Sequence, residues 1–206
     1  MTQRDLTCSE LRDIRTAAGG RWFTKPFDLN LVIVRSQVLG RWDDTAFWAF
    51  TDDAGRELVE AHTVTGDAWE GEWLNPSHRD GCLFILDQHV NAAFAVGKTK
   101  VGTKNERTCL RQRSPFDYAR WVANGSIPTP AQLEALARSG AKFTAVRYSH
   151  LHNRVSGRTP EKPATDDSEG CVVYLYQHQF VAMLELVAQQ KARGHGDTVS
   201  ATFITR

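Results

Sequence analysis

The chain has 206 residues and a mass of 23.1 kDa, which is enough for one domain with a hydrophobic core. Lys and Arg total 25 and Asp and Glu total 24, so the net charge is +1, which does not favour nucleic acid as a partner. No apolar run approaches ~18 residues, so we expect no transmembrane helix. The N-terminus lacks the apolar segment of a signal peptide, so we expect none.

Four cysteines are scattered along the chain without a Cys-x-x-Cys pair. This spacing argues against a zinc ribbon. An even number would permit two disulfides, but a chain of this length without a signal peptide does not need them. We therefore expect free thiols.

The predicted elements begin with a short helix at residues 7–18. Thr7 and Glu10 have the spacing of a capping box, and the glycine pair at residues 19–20 ends the helix. From Leu29 to about Val101, short apolar runs bounded by turn residues predict strands. We expect an N-terminal helical segment, residues 1–28, followed by one domain, residues 29–206.

A short helical insert follows this run of strands. Ser114 and Pro115 predict the start of a helix that continues to about residue 122. Thr129 and Pro130 predict the N-terminus of a second helix at residues 131–138, which Gly140 ends. Alternation then predicts a strand at 143–151, an apolar run predicts a strand or turn at 171–174, and a helix and a final strand complete an α+β chain dominated by strands.

The candidate catalytic residues flank a polar loop between two of these strands. A cysteine nucleophile needs a nearby base and groups that stabilise an oxyanion. His152 lies at the end of a predicted strand, and Cys171 follows Gly170, which allows a sharp backbone turn beside the thiol. The alternative for Cys171 is a buried, inert thiol.

The spacing of these residues resembles a known signature. His152 is followed by fifteen residues and then by Ser168-Glu169-Gly170-Cys171, which resembles the His-x(14–17)-[Ser/Thr]-x-Gly-Cys signature of the L,D-transpeptidase (YkuD-like) catalytic domain family. Residues 40–45 and 62–67 resemble strands of phage and prophage members. The resemblance implies a β-rich sandwich over residues 29–206 that cross-links or hydrolyses peptidoglycan stem peptides through a cysteine thioester, without a metal or organic cofactor.

The resemblance also implies roles for individual residues. The implied catalytic residues are Cys171 as nucleophile, His152 as base, Ser168 as the hydroxyl that shapes the loop, and Gly170 at the oxyanion hole. The implied substrate-binding residues are His150, Asp167 and Glu169. Such a chain would be cytoplasmic as synthesised and would reach the cell wall after lysis, injection or another route that bypasses Sec export.

The chain departs from the family at two motif positions. Val173 stands where cell-wall members usually carry an arginine, and Glu169 stands where a histidine is common. Acidic neighbours such as Asp166 and Asp167 raise the pKa of a thiol, which opposes thiolate formation. The alternative function is therefore a non-catalytic, wall-binding or virion-associated module of the same fold.

Three other groups of residues could have a functional role or a purely structural one. Cys82 also follows a glycine, but its apolar neighbours predict a core strand. His62, His78 and His89 lack the spacing of a metal site. Residues 98–113 carry six cations and one acid, Glu106, which predicts a solvated loop or a contact with an anionic polymer.

Overall fold

A computed structural model describes residues 5–68, 70–104, 106–122, 125–146, 149–153 and 170–206. Within these ranges the chain forms eleven strands and four helices. The strands are β1 (Asn30–Arg35), β2 (Asp44–Thr51), β3 (Glu57–Thr65), β4 (Cys82–Ile85), β5 (Gln88–Thr99), β6 (Arg107–Gln112), β7 (Phe116–Trp121), β8 (Phe143–Ala145), β9 (His150–Asn153), β10 (Val172–Tyr174) and β11 (Thr198–Thr205). The helices are α1 (Cys8–Ala17), α2 (Glu70–Leu74), α3 (Pro130–Leu136) and α4 (Gln177–Ala192).

Eight strands close into a barrel in the order β1, β11, β5, β6, β9, β10, β3, β2. β1 and β11 are parallel, as are β9 and β10, and the remaining neighbours are antiparallel. Alternate side chains of these strands fill the interior, as expected from the two-residue period of a strand. The strand-dominated α+β class is thus confirmed, while the main sheet is a closed barrel where the sequence analysis expected a sandwich.

The other three strands form a separate sheet in the order β4, β7, β8, which we call the cap sheet. Leu83, Ile85, Phe116 and Tyr118 on one face belong to the barrel core. The opposite face packs against α2 and α3, with Trp73 and Leu133 buried there. The cap sheet therefore lies between the barrel and a thin helical layer.

The cap sheet covers one end of the barrel, which we call the capped rim. Arg35, at the end of β1, donates a hydrogen bond to the Ile85 carbonyl of β4. Thr205, at the end of β11, donates its backbone N–H to the Asp87 carboxylate at 2.9 Å. Given the strand directions, β3 and β6 also end at this rim, while β2, β9 and β10 begin there.

Helices cover two other parts of the barrel. α1 packs Leu11 and Ile14 against the outer face of β1 and β2, and Thr7 and Glu10 form the expected capping box. α4 contributes to the core and ends at the opposite rim, where Gln190 accepts a hydrogen bond from the Leu29 N–H at 3.1 Å. None of the helices in the described ranges has the length and apolarity needed to cross a membrane.

One predicted helix is wrong and one is confirmed. The segment after Pro115 is β7, because it pairs with β4 and β8 and alternates between the two apolar layers that sandwich the cap sheet. α3 begins at the predicted place, with Thr129 and Gln132 in a capping box and Pro130 in the first turn. A single π turn, Ala137–Ala141, follows, and Gly140 within it has φ 99°.

Candidate functional site

Cys171 lies at the capped rim, immediately before β10. Val172 pairs with Leu151 of the parallel strand β9, and both point into the core. Since strand side chains alternate, His152 and Val173, which pair with each other, lie on the outer face. Continuing this register by one residue places Cys171 beside His150 on that face. His152 is then a diagonal neighbour of Cys171, a separation of roughly 7–8 Å that ring side chains can span.

Gly170 is required at its position by both backbone conformation and space. Its φ is +139°, which L side chains rarely adopt, and an added Cβ would lie 2.9 Å from the Cβ of Leu83. The Gly170 carbonyl accepts a hydrogen bond of 2.9 Å from the Ser149 hydroxyl. Because a trans peptide group points its C=O and N–H in opposite directions, the Cys171 N–H faces away from Ser149.

A buried polar network holds Ser149 and links the cap sheet to the barrel. The Tyr118 hydroxyl lies 3.1 Å from the Ser149 Oγ and 3.0 Å from the Gln112 Oε1. Gln112 Oε1 also accepts from the Ser149 N–H, and its amide nitrogen donates to the carbonyls of Ser114 and Ala145. Because Ser149 donates its hydroxyl proton to the Gly170 carbonyl, the Tyr118 hydroxyl donates either to Ser149 Oγ or to Gln112 Oε1. In both arrangements Ser149 holds the carbonyl that precedes Cys171.

His152 has a defined tautomer. Its Nδ1 lies 2.9 Å from the backbone carbonyl of Asn153, and a carbonyl can only accept. Nδ1 therefore carries the proton of the neutral ring, which leaves the lone pair on Nε2. This is the protonation state that a general base requires.

His150 is held in its neutral form. Burial lowers the pKa of this histidine, and the charge that His152 carries when it is protonated and the charge of Arg111 lower it further, against a backbone hydrogen bond with Ser149 that raises it. The backbone N–H of Gln112 lies 3.5 Å from its Nδ1. His150 is thus an uncharged polar group beside Cys171.

The surroundings of the four thiols differ. Cys171 is partly exposed, whereas Cys8, Cys82 and Cys109 are buried. Burial raises the pKa of Cys109 to about 11, so this thiol stays protonated although the sheet register brings it next to His152. Cys82 lies in β4, as its apolar neighbours predicted, and its Sγ donates to the Glu72 carbonyl at 2.9 Å.

Residues 40–45 and 66–67 contact each other at the capped rim. The Gly66 N–H donates to Asp44 at 2.6 Å, and the Gly40 N–H donates to Asp67 at 2.9 Å. Burial raises the pKa of Asp44 to about 7, despite two backbone hydrogen bonds and the charge of Arg35. Burial and the charge of Asp44 raise the pKa of Asp67 well above its usual value.

Three of the implied site residues, Ser168, Asp167 and Glu169, lie outside the described residues. The described ones Cys171, Gly170, His150 and His152 come together at one rim. Within the described ranges, no group of three or more His, Cys, Asp or Glu side chains could hold a metal ion.

Three residues of the site were missed by the sequence analysis. Ser149, Gln112 and Tyr118 are buried polar side chains that support Gly170. Ser149 directly precedes the predicted histidine pair, which is a weak signal. Gln112 and Tyr118 carry no local signal, since they reach the site only through the packing of the cap sheet on the barrel.

Comparison of the chain with protein-family models, with curated proteins and with solved structures found no match. The resemblance to L,D-transpeptidases therefore rests on the sequence motif.

Proposed function

We propose that this chain carries out cysteine-dependent acyl transfer or hydrolysis on peptidoglycan stem peptides, in the manner of an L,D-transpeptidase-like domain. The observation that carries the proposal is the position of a partly exposed Cys171 at the capped rim, directly before the strand that pairs with His152, whose Nδ1–H is fixed by the Asn153 carbonyl. A nucleophile, a base and a group that orients the base are the parts that covalent catalysis requires.

The proposed reaction begins when His152 Nε2 accepts the Cys171 thiol proton and the thiolate adds to a peptide carbonyl. The tetrahedral intermediate collapses to a thioester, and the leaving amine takes the proton from the imidazolium of His152. Water or a second amine then attacks the thioester, with His152 again accepting the proton; the C–S bond breaks, and the Cys171 thiolate leaves and takes this proton back from His152. Water gives hydrolysis, and an amine gives a cross-link.

Backbone groups beside Cys171 are suited to the negative charge of the intermediate. The Ser149 hydroxyl holds the Gly170 carbonyl, so the Cys171 N–H is turned to the other side and is fixed before substrate binds. Donors fixed in advance stabilise an oxyanion better than donors that must reorganise. Gly170 adds no side chain that would obstruct the approach of the substrate.

The second candidate is a wall-binding module without catalytic activity, and Val173 favours it. Val173 is fully buried beside His152, so the position two residues after the cysteine offers a substrate no charge. In this alternative the rim binds wall fragments and the thiol is inert.

The test is mass spectrometry of defined tetrapeptide muropeptides incubated with the wild-type protein and with Cys171→Ala. We expect the wild type to release the terminal residue or to form a dimer, and the variant to do neither. Release indicates hydrolysis, and dimer formation indicates transfer.

The same two proteins are then tested for binding to purified sacculi. Unchanged muropeptides in both samples, together with equal binding of both proteins to sacculi, would replace the enzyme with the wall-binding module. Turnover that persists in Cys171→Ala would contradict the cysteine mechanism.

A further inference from the structure

The β5–β6 hairpin extends past the last strand pairs that build it into the barrel. β5 last pairs with β11 at Ala95, and β6 pairs with β9 at Leu110 and Arg111. Between these positions, residues 98–108 pair only with each other among the described residues, and we call them the hairpin arm. Because β5 begins and β6 ends beside the cap sheet, the arm points away from the capped rim.

The hairpin arm carries positive charge that is not neutralised. Four cations and one acid give these eleven residues a net charge of +3, against +1 for the whole chain. The acid, Glu106, contacts Lys98 at 2.5 Å. Lys100, Lys104 and Arg107 form no ion pair within the part of the chain that the structure describes, and both lysines are exposed.

An apolar side chain lies among these cations at the tip of the arm. Val101 is 65% exposed, and it stands between Lys100 and Gly102, whose φ values of 51° and 76° turn the backbone. A single exposed valine is ordinary on a protein surface. A valine next to cations that have no acidic partner, however, combines the two features that bind a protein to the surface of an anionic bilayer.

We propose that the hairpin arm docks the barrel on an anionic lipid bilayer, with Lys100, Lys104 and Arg107 at the headgroups and Val101 inserted beneath them. Anionic headgroups attract the cations, and the acyl region removes the valine from water. A soluble polyanion would satisfy the charges but would leave Val101 exposed, so the bilayer accounts for both features. Docked in this way, the barrel holds the capped rim away from the lipid, and the docking is independent of the chemistry at Cys171.

The probes are unilamellar vesicles of phosphatidylcholine alone and of equal parts of phosphatidylcholine and phosphatidylglycerol. Co-sedimentation of the full chain with each kind of vesicle gives a partition coefficient. Each cation near an anionic surface contributes about fivefold, so we expect the anionic vesicles to be favoured at least tenfold. The preference should shrink as salt is added, because salt screens the charges. Equal partition into the two kinds of vesicle would overturn the inference.

Two double variants test whether the arm carries this preference. Lys100→Gln with Lys104→Gln removes two charges from the arm, and we expect partition into the anionic vesicles to fall about tenfold or more. Arg79→Gln with Arg138→Gln removes two charges from exposed positions in the helical layer on the cap sheet, and we expect a change within twofold. Because all four side chains are exposed, urea midpoints should stay at the wild-type value. An equal loss in both double variants would show that net charge acts, not the arm, and would overturn the inference.

Val101→Ser distinguishes the bilayer from a soluble polyanion. This variant keeps every charge, and we expect partition into the anionic vesicles to fall about threefold or more, because the apolar contact is lost. Val122→Ser is the matched control, since Val122 is also 65% exposed but lies after β7, outside the arm. If Val101→Ser partitions like the wild type while the lysine variant does not, the arm binds anions without entering lipid, and the inference is overturned in favour of a soluble polyanion such as polyphosphate. No turnover enters these measurements, so the inference and the proposed function fail independently.

Discussion

At the residue scale, Gly170 combines a backbone conformation that favours glycine with a close contact at its Cβ position, as Gly40 and Gly81 also do. Its φ of +139° disfavours any side chain, and Leu83 of the cap sheet occupies the space that a Cβ would need. Gly102 in the β5–β6 hairpin has φ +76° but nothing within 4 Å of its Cβ position. The two glycines therefore allow backbone strain to be separated from close packing.

We predict that Gly170→Ala lowers the free energy of unfolding by about 3 kcal/mol or more, because strain of about 1–3 kcal/mol adds to the contact with Leu83. Gly102→Ala, with strain alone, should cost about 1–2 kcal/mol. Urea denaturation of both variants measures the difference. Equal losses would mean that the contact between Gly170 and Leu83 contributes nothing.

At the scale of elements, the starts of two helices could be predicted because they depend on residues that are close together in the sequence. The capping box at Thr7 and the N-cap and proline at Thr129 and Pro130 predicted the starts of α1 and α3, because these signals depend only on residues close in sequence. The predicted helix that is β7 shows the limit of such signals, since its pairing with β4 and β8 is long-range. The network of Tyr118, Gln112 and Ser149 could not be predicted for the same reason.

This network joins β7, β6 and the segment before β9, and we expect it to position Cys171 through Gly170. Ser149→Ala removes the donor to the Gly170 carbonyl and should lower the free energy of unfolding by about 1–3 kcal/mol. The rate of Cys171 alkylation by iodoacetamide at neutral pH should also fall, because the thiol is no longer held near His152. Ser139→Ala is the control, since its exposed hydroxyl donates to the Leu136 carbonyl of its own helical segment, far in sequence from Gly170.

A double-mutant cycle with Tyr118→Phe tests whether the network acts as a unit. Side chains in one hydrogen-bond network show coupling energies of about 0.5–3 kcal/mol, so the losses from Ser149→Ala and Tyr118→Phe should not add. Additive losses would show that the Tyr118 hydroxyl does not support Ser149.

At the scale of the whole molecule, the candidate site lies where the barrel and the cap sheet meet. Arg35 links β1 to the cap sheet through the Ile85 carbonyl and through Asp87 at 2.6 Å, and its guanidinium stacks 4.2 Å from the centre of the Phe84 ring. Asp44 and Asp67 lie buried next to this joint. Arg35 thus lies beside two buried carboxyl groups, Asp44 and Asp67, whose pKa values are raised. The net charge at this contact between β1 and the cap sheet therefore depends on pH.

The sign of this dependence follows from proton binding. Because burial raises the pKa of Asp44 to about 7, the folded state binds more protons than the unfolded state between pH 4 and pH 7. The stability contributed by the protonated form is therefore present at low pH and is lost progressively as the pH rises from about 4 to about 7. The loss is on the order of 4 kcal/mol, since the pKa rises by about three units from 3.8 and each unit is worth about 1.4 kcal/mol.

We predict that Asp67→Asn makes the unfolding free energy depend less on pH over this range. The variant removes one charge that raises its neighbour's pKa, and its amide oxygen can still accept the Gly40 N–H. Asp13→Asn makes the same change of charge at an exposed position of α1 and should leave the dependence intact. Urea denaturation from pH 4.5 to 8 measures all three proteins. The opposite outcome is that the wild type gains stability as the pH rises from 5 to 7.5 and that Asp67→Asn behaves in the same way. It would mean that Asp44 and Asp67 are ionised in the folded state and that burial does not dominate their pKa values.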